Sequence, residues 1–485
     1  MQGKFLAGVS DYWSFFYPLF ALPAGLAYGN AEAGLRLLSI LSGAALVLPC
    51  MLIARRLWGM RTALFSGLLV ALHPMLIAHS TAAMTESVYS LFLLLALYFF
   101  IKHIQEGNLR ALVVSSIFVG CAYLIRQEVQ ILAAAAAVLI LLGKGGPGLE
   151  KPAGQRLSRA LILAAIFIAL MVPNILLIHQ KTGRWSGGSK AAVNLSSPLI
   201  WDGGLGREQY VYSLNEEATE RRIEEIGREN PLRILWRARN GIARAYFRNL
   251  HRGFNGIPIL LMSPFLLLLI PLGIFGRRWE RDKRGIELLL VILGLFPFLL
   301  YSIFSVQTRY LLPFLPLYLM WAALGCEVII EWIRDNISGR PAAGMTILII
   351  VFASLAFLTI RRYSYTRDHL PAEYKQVGYW IRDNIEGEVR VLAHSGCAIS
   401  YSAGAPEATF IPWTDPERLL KYARHHGYTH LVAEEKYFRE NRPSLSGILD
   451  PPGYPCLEPV TVFSNTPGSR IILFRILPEP APSSG

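Results

Sequence analysis

Ser80-Thr-Ala-Ala-Met-Thr-Glu-Ser-Val-Tyr89 merges into the apolar stretch Val88 to Ile101. It belongs to the run 85–103, which reads as a membrane helix. Glu86 stands at its mouth. A carboxylate there is costly and marks a functional-site candidate. The plain alternative is an acid in the first turn, which the helix dipole favours at no functional cost.

The rest of the chain extends this reading. It has 485 residues, 53% of them hydrophobic and only 17% charged. A soluble domain carries about a quarter charged residues. Ten apolar runs of near-spanning length are expected: 35–57, 61–79, 85–103, 110–125, 128–143, 157–179, 256–276, 286–306, 309–333 and 341–360. The net charge of +13 does not argue for nucleic acid, because Lys and Arg gather in short loops between these runs. Arg55, Arg56 and Arg61 follow the first run, Lys102 and Arg110 the third, and Lys144, Lys151, Arg156 and Arg159 the fifth. Arg277, Arg278, Arg281, Lys283 and Arg284 follow the seventh, and Arg334 and Arg340 the ninth. Every second loop is basic, so these are expected to be cytoplasmic. The other loops, including 180–255, and both chain ends are then external, on an integral inner (plasma) membrane.

Three segments result: an external juxtamembrane segment over 1–34, a transmembrane core over 35–360 and an external domain over 361–485. The first has no signal-peptide pattern; Asp11-Tyr-Trp-Ser-Phe-Phe-Tyr-Pro18 reads as interfacial. An external start with nothing to carry it across predicts that the native chain begins upstream of Met1, with a further membrane helix. Alternatively, residues 1–34 cross with the first hairpin. The 180–255 loop carries a charged, helix-forming stretch, Glu216 to Arg248, with Pro231 at a helix start. Beyond Arg361 an α/β pattern is expected. Pro371–Ile385 and Pro416–His426 read as helices, and 389–394, 428–433 and 470–476 as strands. The tail from Pro478 is Pro- and Ser-rich. Cys50, Cys121 and Cys326 lie in apolar segments, while Cys397 and Cys456 can pair if the tail faces an oxidising compartment.

Further polar features fall on the same side as Glu86. Tyr123-Leu-Ile-Arg126-Gln-Glu128 joins the fourth and fifth helices. Arg126 suits a phosphate, since its planar fork gives bidentate, charge-assisted bonds, and Glu128 can orient it. A tight turn with a simple Arg–Glu pair is the alternative. Arg309 and Tyr310 open the ninth helix as a second phosphate contact or an interfacial anchor. Tyr17-Pro18 forms an aromatic approach. An acid, two arginines and several tyrosines at one face suit an amphiphile with an anionic head. The histidines form no convincing ligand set, and no HExxH, CxxC or glycine-rich phosphate loop is present.

The order of Leu57-Trp-Gly59, Ala63, His73-Pro74, Ser80, Thr85-Glu86 and Tyr123-Leu-Ile-Arg126-Gln-Glu128 resembles the membrane core of GT-C glycosyltransferases. The branch is family 39, the bacterial relatives of protein O-mannosyltransferases and lipid A aminoarabinose transferases. Arg309-Tyr310-Leu-Leu-Pro313-Phe-Leu-Pro316 is similar to that family's later helix. The resemblance covers residues 1 to 360 and implies a polytopic α-helical membrane protein of GT-C type, here with a small C-terminal α/β soluble domain. It implies inverting transfer of a hexosyl or pentosyl group from a polyprenyl-phosphate sugar donor. The acceptor is a lipid, glycan or protein at the external membrane face. The family's base sits in the first external loop, which this sequence lacks. Asp11 is the nearest acid, in a context that does not match. Glu86 matches the second external acid, placed to bind the acceptor or support the base. Arg126, Glu128, Arg309, Tyr310 and Tyr17 are the candidate substrate contacts. No cofactor is certain; the resemblance leaves room for a divalent metal. Membrane lipids are partners and nucleic acid is not.

Other readings make different demands. A ligase or polymerase on lipid-diphosphate glycans wants a longer, more arginine-rich external loop. A transporter or flippase of lipid-linked sugars wants mid-membrane ionisable groups or inverted repeats. A truncated or catalytically degenerate relative would lack the first-loop acid.

Overall fold

The structure is a computed structural model describing residues 9–10, 12–13, 15–196, 207–261, 263–303, 307–336, 346, 349–358, 360–361, 373–404, 407–450, 454–466 and 469–478. Residues 1–190 and 242–366 form one unit, and residues 191–241 and 367–485 another. The chain boundary expected at 361 is thus supplemented by residues 191–241, which sort with the C-terminal unit and not with the helical core.

The first unit is built of apolar helices. Among the described residues, five are long and apolar enough to cross a membrane: Ala31–Trp58, Glu86–Glu106, Ala153–Thr182, Arg284–Tyr301 and Thr308–Asn336. Met60–Leu72 and Pro74–Ser80 are together as apolar and long, but are bent by 56° at His73, as in a broken span or a re-entrant loop. The bend follows from Pro74, which holds His73 in an extended conformation and stops the first helix. Leu109–Ile125, Val129–Leu142, Pro264–Phe275 and Ile349–Leu358 are apolar but shorter. The ten expected spans are therefore not all matched by helices of spanning length. Phe16–Ala27 is also a short apolar helix inside the segment expected to be merely interfacial. Asp11 and the Pro- and Ser-rich tail beyond 478 lie outside the described residues.

Local chemistry sets the helix ends around the candidate site. Glu86–Glu106 begins at Glu86 and stops at Gly107, whose φ of +67° closes the helix in the left-handed region. Asn108 then caps Leu109–Ile125, its side chain accepting from the Ala111 N–H at 3.3 Å. That helix ends because Arg126 adopts an extended backbone, φ −145° and ψ 119°. Val129 begins the next helix after a three-residue turn.

The core is a shared seam of Ile53, Leu57, Leu94, Ile101, Leu112 and Leu319, all essentially buried. Its tightest crossing joins Pro264–Phe275 to Leu315–Asn336. A Cβ on Gly325 would come 2.1 Å from the Leu269 carbonyl oxygen, and one on Gly273 2.0 Å from that of Trp321. Small residues at such crossings let backbones meet without a hydrophobic driving force between helices.

The second unit holds a five-stranded sheet: β1 (Arg390–Ala393), β2 (Glu407–Thr409), β3 (His430–Glu434), β4 (Leu457–Thr466) and β5 (Ser469–Ile476), in the order β2-β1-β3-β5-β4. β1 pairs in parallel with β2 and β3, whereas β5 is antiparallel to both β3 and β4. Leu392, Leu431, Ala433, Ile472 and Phe474 bury one face, and Val391, Ala393, Val432, Ile471 and Leu473 the other. Burial on both sides explains why these strands read as continuous apolar runs. The helices Glu373–Asn384 and Pro416–His425 fall where the sequence places them. β4 escapes sequence reading because Glu458, Pro459 and Asn465 break its pattern; as an edge strand it tolerates proline. Residues 191–241 join this unit through the Trp413 N–H, which donates to Tyr212 O at 2.8 Å, and through Arg221, whose Nη1 donates to Thr409 Oγ1 at 3.0 Å. The expected Cys397–Cys456 pairing involves a side chain outside the described residues.

Candidate active site

The three polar motifs at helix ends come together in the first unit. Arg126 is the hub. It is only 5% exposed. Its guanidinium carbon lies 5.3 Å from the Tyr89 ring centroid and 5.5 Å from that of Tyr310. Both distances fit cation–π attraction. Tyr310 also carries Arg309, whose guanidinium carbon is 5.2 Å from the same centroid. Two arginines from motifs far apart in sequence thus share one aromatic ring. Tyr301 packs beside it, with its centroid 5.1 Å from that of Tyr310.

Glu128 closes the turn. Its Oε1 accepts from Arg126 Nη2 at 3.4 Å and from Lys190 Nζ at 3.1 Å. Lys190 was not legible as a site residue, since nothing in its local sequence marks it. A carboxylate between two cations leaves a net positive cluster. Burial, the largest influence on Arg126, disfavours its charge, but Glu128, Tyr301, Tyr89 and Glu86 together outweigh it and raise its pKa above the ordinary value. The guanidinium therefore stays charged. Its Nε and Nη1 have no hydrogen-bond partner among the described residues, and neither does Glu128 Oε2. Unmade bonds on a buried charge are costly, which points to a missing anionic partner.

Glu86 is 4% exposed and lies on the same helix as Tyr89, three residues earlier. Residues at that spacing share a helix face. Thr85 Oγ1 donates to Glu86 Oε2 at 3.5 Å. The segment before Glu86 is braced from below: Tyr17 Oη and Ser39 Oγ share a bond of 2.9 Å, and Ser39 Oγ donates to Met84 O at 3.0 Å. Tyr17 is 6% exposed; with Ser39 donating to Met84, its hydroxyl hydrogen goes to Ser39 Oγ, and Leu35 O at 3.3 Å is only the alternative acceptor. It holds the Glu86 turn in place more directly than it offers a surface. Gln127 anchors the other side, its Nε2 donating to Gly187 O, a carbonyl that also accepts from Asn174 Nδ2 at 3.3 Å. Tyr89 and Tyr301 were missed in the sequence; the i+3 spacing of Tyr89 from Glu86 was the available signal.

Among the described residues no group of three His, Cys, Asp or Glu is placed to hold a metal ion. Among the described residues, the carboxylates of the cluster are Glu86 and Glu128, with Arg126 bonded to Glu128, and no third His, Cys, Asp or Glu joins them to complete a cation site. What the arrangement can do is bind a phosphate or other anion at Arg126 with a carboxylate nearby.

Comparison with known proteins bears on the fold. Residues 17–177 match the family described as dolichyl-phosphate-mannose-protein mannosyltransferase. No curated protein matches the chain. In fold the chain is similar to ArnT from Cupriavidus metallidurans bound to undecaprenyl phosphate, with a TM-score of 0.56 at 14% identity over 96% of this chain and 88% of that one. It is also similar to the Archaeoglobus fulgidus oligosaccharyltransferase in complex with Zn and sulfate, with a TM-score of 0.58 at 13% identity over 94% of this chain and 65% of that one. A third structure is AglB from Archaeoglobus fulgidus with an inhibitory peptide and a dolichol-phosphate, with a TM-score of 0.53 at 13% identity over 88% of this chain and 63% of that one. The chain thus spans a little under two thirds of the length of the archaeal oligosaccharyltransferase in both structures. With apolar helices of spanning length and a fold shared along nearly all of its sequence, the protein is an integral membrane protein with the fold of the GT-C glycosyltransferases, family 39-like in its N-terminal third.

Proposed function

We propose that this protein transfers a sugar from a polyprenyl-phosphate carrier to a lipid, glycan or protein acceptor at the external membrane face. The observation that carries the proposal is Arg126: a buried, charged guanidinium with two unsatisfied nitrogens, stacked on Tyr89 and Tyr310 and within electrostatic reach of Glu86. The undecaprenyl phosphate of the ArnT structure and the dolichol-phosphate of AglB are ligands of the same chemistry.

In this mechanism Arg126 holds the phosphate that links sugar to lipid, and Arg309 adds charge at the same ring. An acceptor hydroxyl attacks the anomeric carbon and a new C–O bond forms with inversion. The bond from that carbon to the phosphate oxygen breaks, and the polyprenyl phosphate leaves with its electron pair. Fixed guanidinium charge stabilises this leaving anion. The acceptor proton passes to a carboxylate, for which Glu86 is the described candidate. Glu128 and Lys190 hold Arg126 in position.

The test is a reconstituted protein offered a panel of polyprenyl-phosphate hexoses and pentoses. Release of free polyprenyl phosphate by the wild type, lost in Arg126→Ala, is expected. Equal turnover in Arg126→Ala, or no release from any donor, overturns the proposal. A reporter fused after Arg361 is expected to read as external; a cytoplasmic signal removes the stated orientation.

A further inference from the structure

The loop between the Pro264–Phe275 and Arg284–Tyr301 helices shapes a basic depression. An open depression of about 390 Å³ is lined by Ile274, Phe275, Arg277, Arg278, Trp279 and Arg284. A second cavity of about 240 Å³ lies among the same helices, lined by apolar residues including Phe254, Pro271, Leu295 and Phe298. Ile274 lines both. A basic depression thus meets an apolar slot, and together they have the form of an anionic amphiphile.

Positive charge in this loop is explained by topology alone, since basic loops stay on one side of a membrane. Topology does not explain why the charges line a concavity. Arg277 pairs with Glu287, which also accepts from Trp58 Nε1 at 3.3 Å. Lys283 pairs with Glu280 at 2.8 Å and donates to Leu57 O at 2.8 Å. Those cations are engaged in holding the loop. Arg278 and Arg284 make no ion pair among the described residues and are exposed on the depression. Arg277 Nε is buried without a hydrogen-bond partner there. The Arg284–Tyr301 helix starts here with no side-chain cap on its first turn, adding the positive end of its dipole. Trp279 Nε1 donates to Ile274 O at 2.8 Å, fixing an aromatic wall on the depression.

We propose that this is a binding site for an anionic phospholipid of the leaflet facing the basic loop. Arg278 and Arg284 take the phosphate, and one acyl chain lies in the slot against Phe254, Leu295 and Phe298. Basic pockets between membrane helices bind lipid headgroups in this way. The site is independent of the transfer reaction and shares no residue with the Arg126 cluster.

Native mass spectrometry of the full chain, purified in detergent and exposed to equal phosphatidylglycerol and phosphatidylcholine, tests it. The wild type is expected to retain phosphatidylglycerol in preference to phosphatidylcholine. Arg278→Gln with Arg284→Gln is expected to cut retention several-fold, and Arg278→Lys with Arg284→Lys to keep most of it, which separates lost charge from lost fold. Leu295→Trp, which fills the exposed part of the slot and leaves the arginines intact, is expected to lower retention as well. Arg126→Ala is expected to retain lipid as the wild type does; loss there would assign the lipid to the other cluster and overturn the proposal. Unchanged retention in the double glutamine variant, or equal retention of phosphatidylcholine, overturns it too. Displacement of the lipid by millimolar glycerol 3-phosphate would make this a soluble-phosphate site and refute the lipid assignment.

Discussion

Arg126 stacks over Tyr89, its guanidinium carbon 5.3 Å from the ring centroid, and Tyr89 stands one helical turn beyond Glu86. That one relationship ties the turn after the Leu109–Ile125 helix to the mouth of the Glu86–Glu106 helix. It sets a buried cation and a buried carboxylate at the same level of the bundle.

Arg126→Lys keeps the charge and loses the planar fork that stacks on two rings. A lysine ammonium cannot offer bidentate bonds to a phosphate. Transfer from a polyprenyl-phosphate sugar is expected to fall about 10- to 100-fold, ~1.4–2.8 kcal/mol in transition-state stabilisation. Steady-state kinetics in proteoliposomes measures it, and wild-type turnover would remove Arg126 from the phosphate site.

Glu86→Gln preserves shape and removes the carboxylate. If Glu86 takes or steers the acceptor proton, the rate is expected to drop on the order of 100-fold or more. Stability is expected to hold or rise, because an amide is cheaper to bury than an anion. Transfer assays run beside thermal unfolding separate the two effects. A fall in both together would make Glu86 a structural residue.

Gly325→Ala tests the close helix crossing. Alanine gains about 1 kcal/mol of helix propensity over glycine. The new Cβ, however, meets the Leu269 carbonyl oxygen at 2.1 Å, and backbone cannot move aside as a side chain can. Overpacking costs about 1–3 kcal/mol, so the expected net effect is destabilising. A lowered unfolding midpoint in detergent is the readout, and an unchanged or raised one contradicts the crossing.

His430 gives the second unit a pH dependence. It is 4% exposed on β3, and burial, with Arg475 across the sheet adding to it, lowers its pKa from 6.5 to about 4. The unfolded chain takes up a proton near pH 6.5, whereas the folded one resists until about pH 4. Stability is therefore full above pH 6.5 and falls as pH drops through that window, by about 3 kcal/mol at most. Hydrogen exchange of β1, β3 and β5 peptides in the full chain, corrected for intrinsic pH effects, is expected to show this loss. His430→Leu is expected to flatten it; an equally steep loss in that variant assigns the effect to other groups.

Much of the helical core was legible because period and composition act locally. The Glu86 helix begins at its acid, the Leu109 helix ends at Arg126, and the helix expected from Pro231 runs Pro231–Leu261. Span lengths were less legible. Pro74 breaks the helix inside the 61–79 run, and Val129–Leu142, closed by Gly143, is only 14 residues long. In the second unit, β4 was hidden because an edge strand need not alternate cleanly, and residues 191–241 could not be assigned because their partners at Thr409 and Trp413 lie about 200 residues on.

The sequence by itself determined that apolar helices would carry acids and arginines at their ends, since both hydrophobic period and helix-end chemistry are written within a few residues. It also supplied Glu86, Arg126, Glu128, Arg309, Tyr310 and Tyr17 as separate candidates. Only the tertiary structure decided that Arg126 and Arg309 share the Tyr310 ring, that Lys190 pairs with Glu128, and that Tyr17 braces the Glu86 turn through Ser39 and Met84. The reason is physical: a contact between side chains distant in sequence depends on how helices cross, and those crossings are set by packing at positions such as Gly273 and Gly325, far from the charges they bring together.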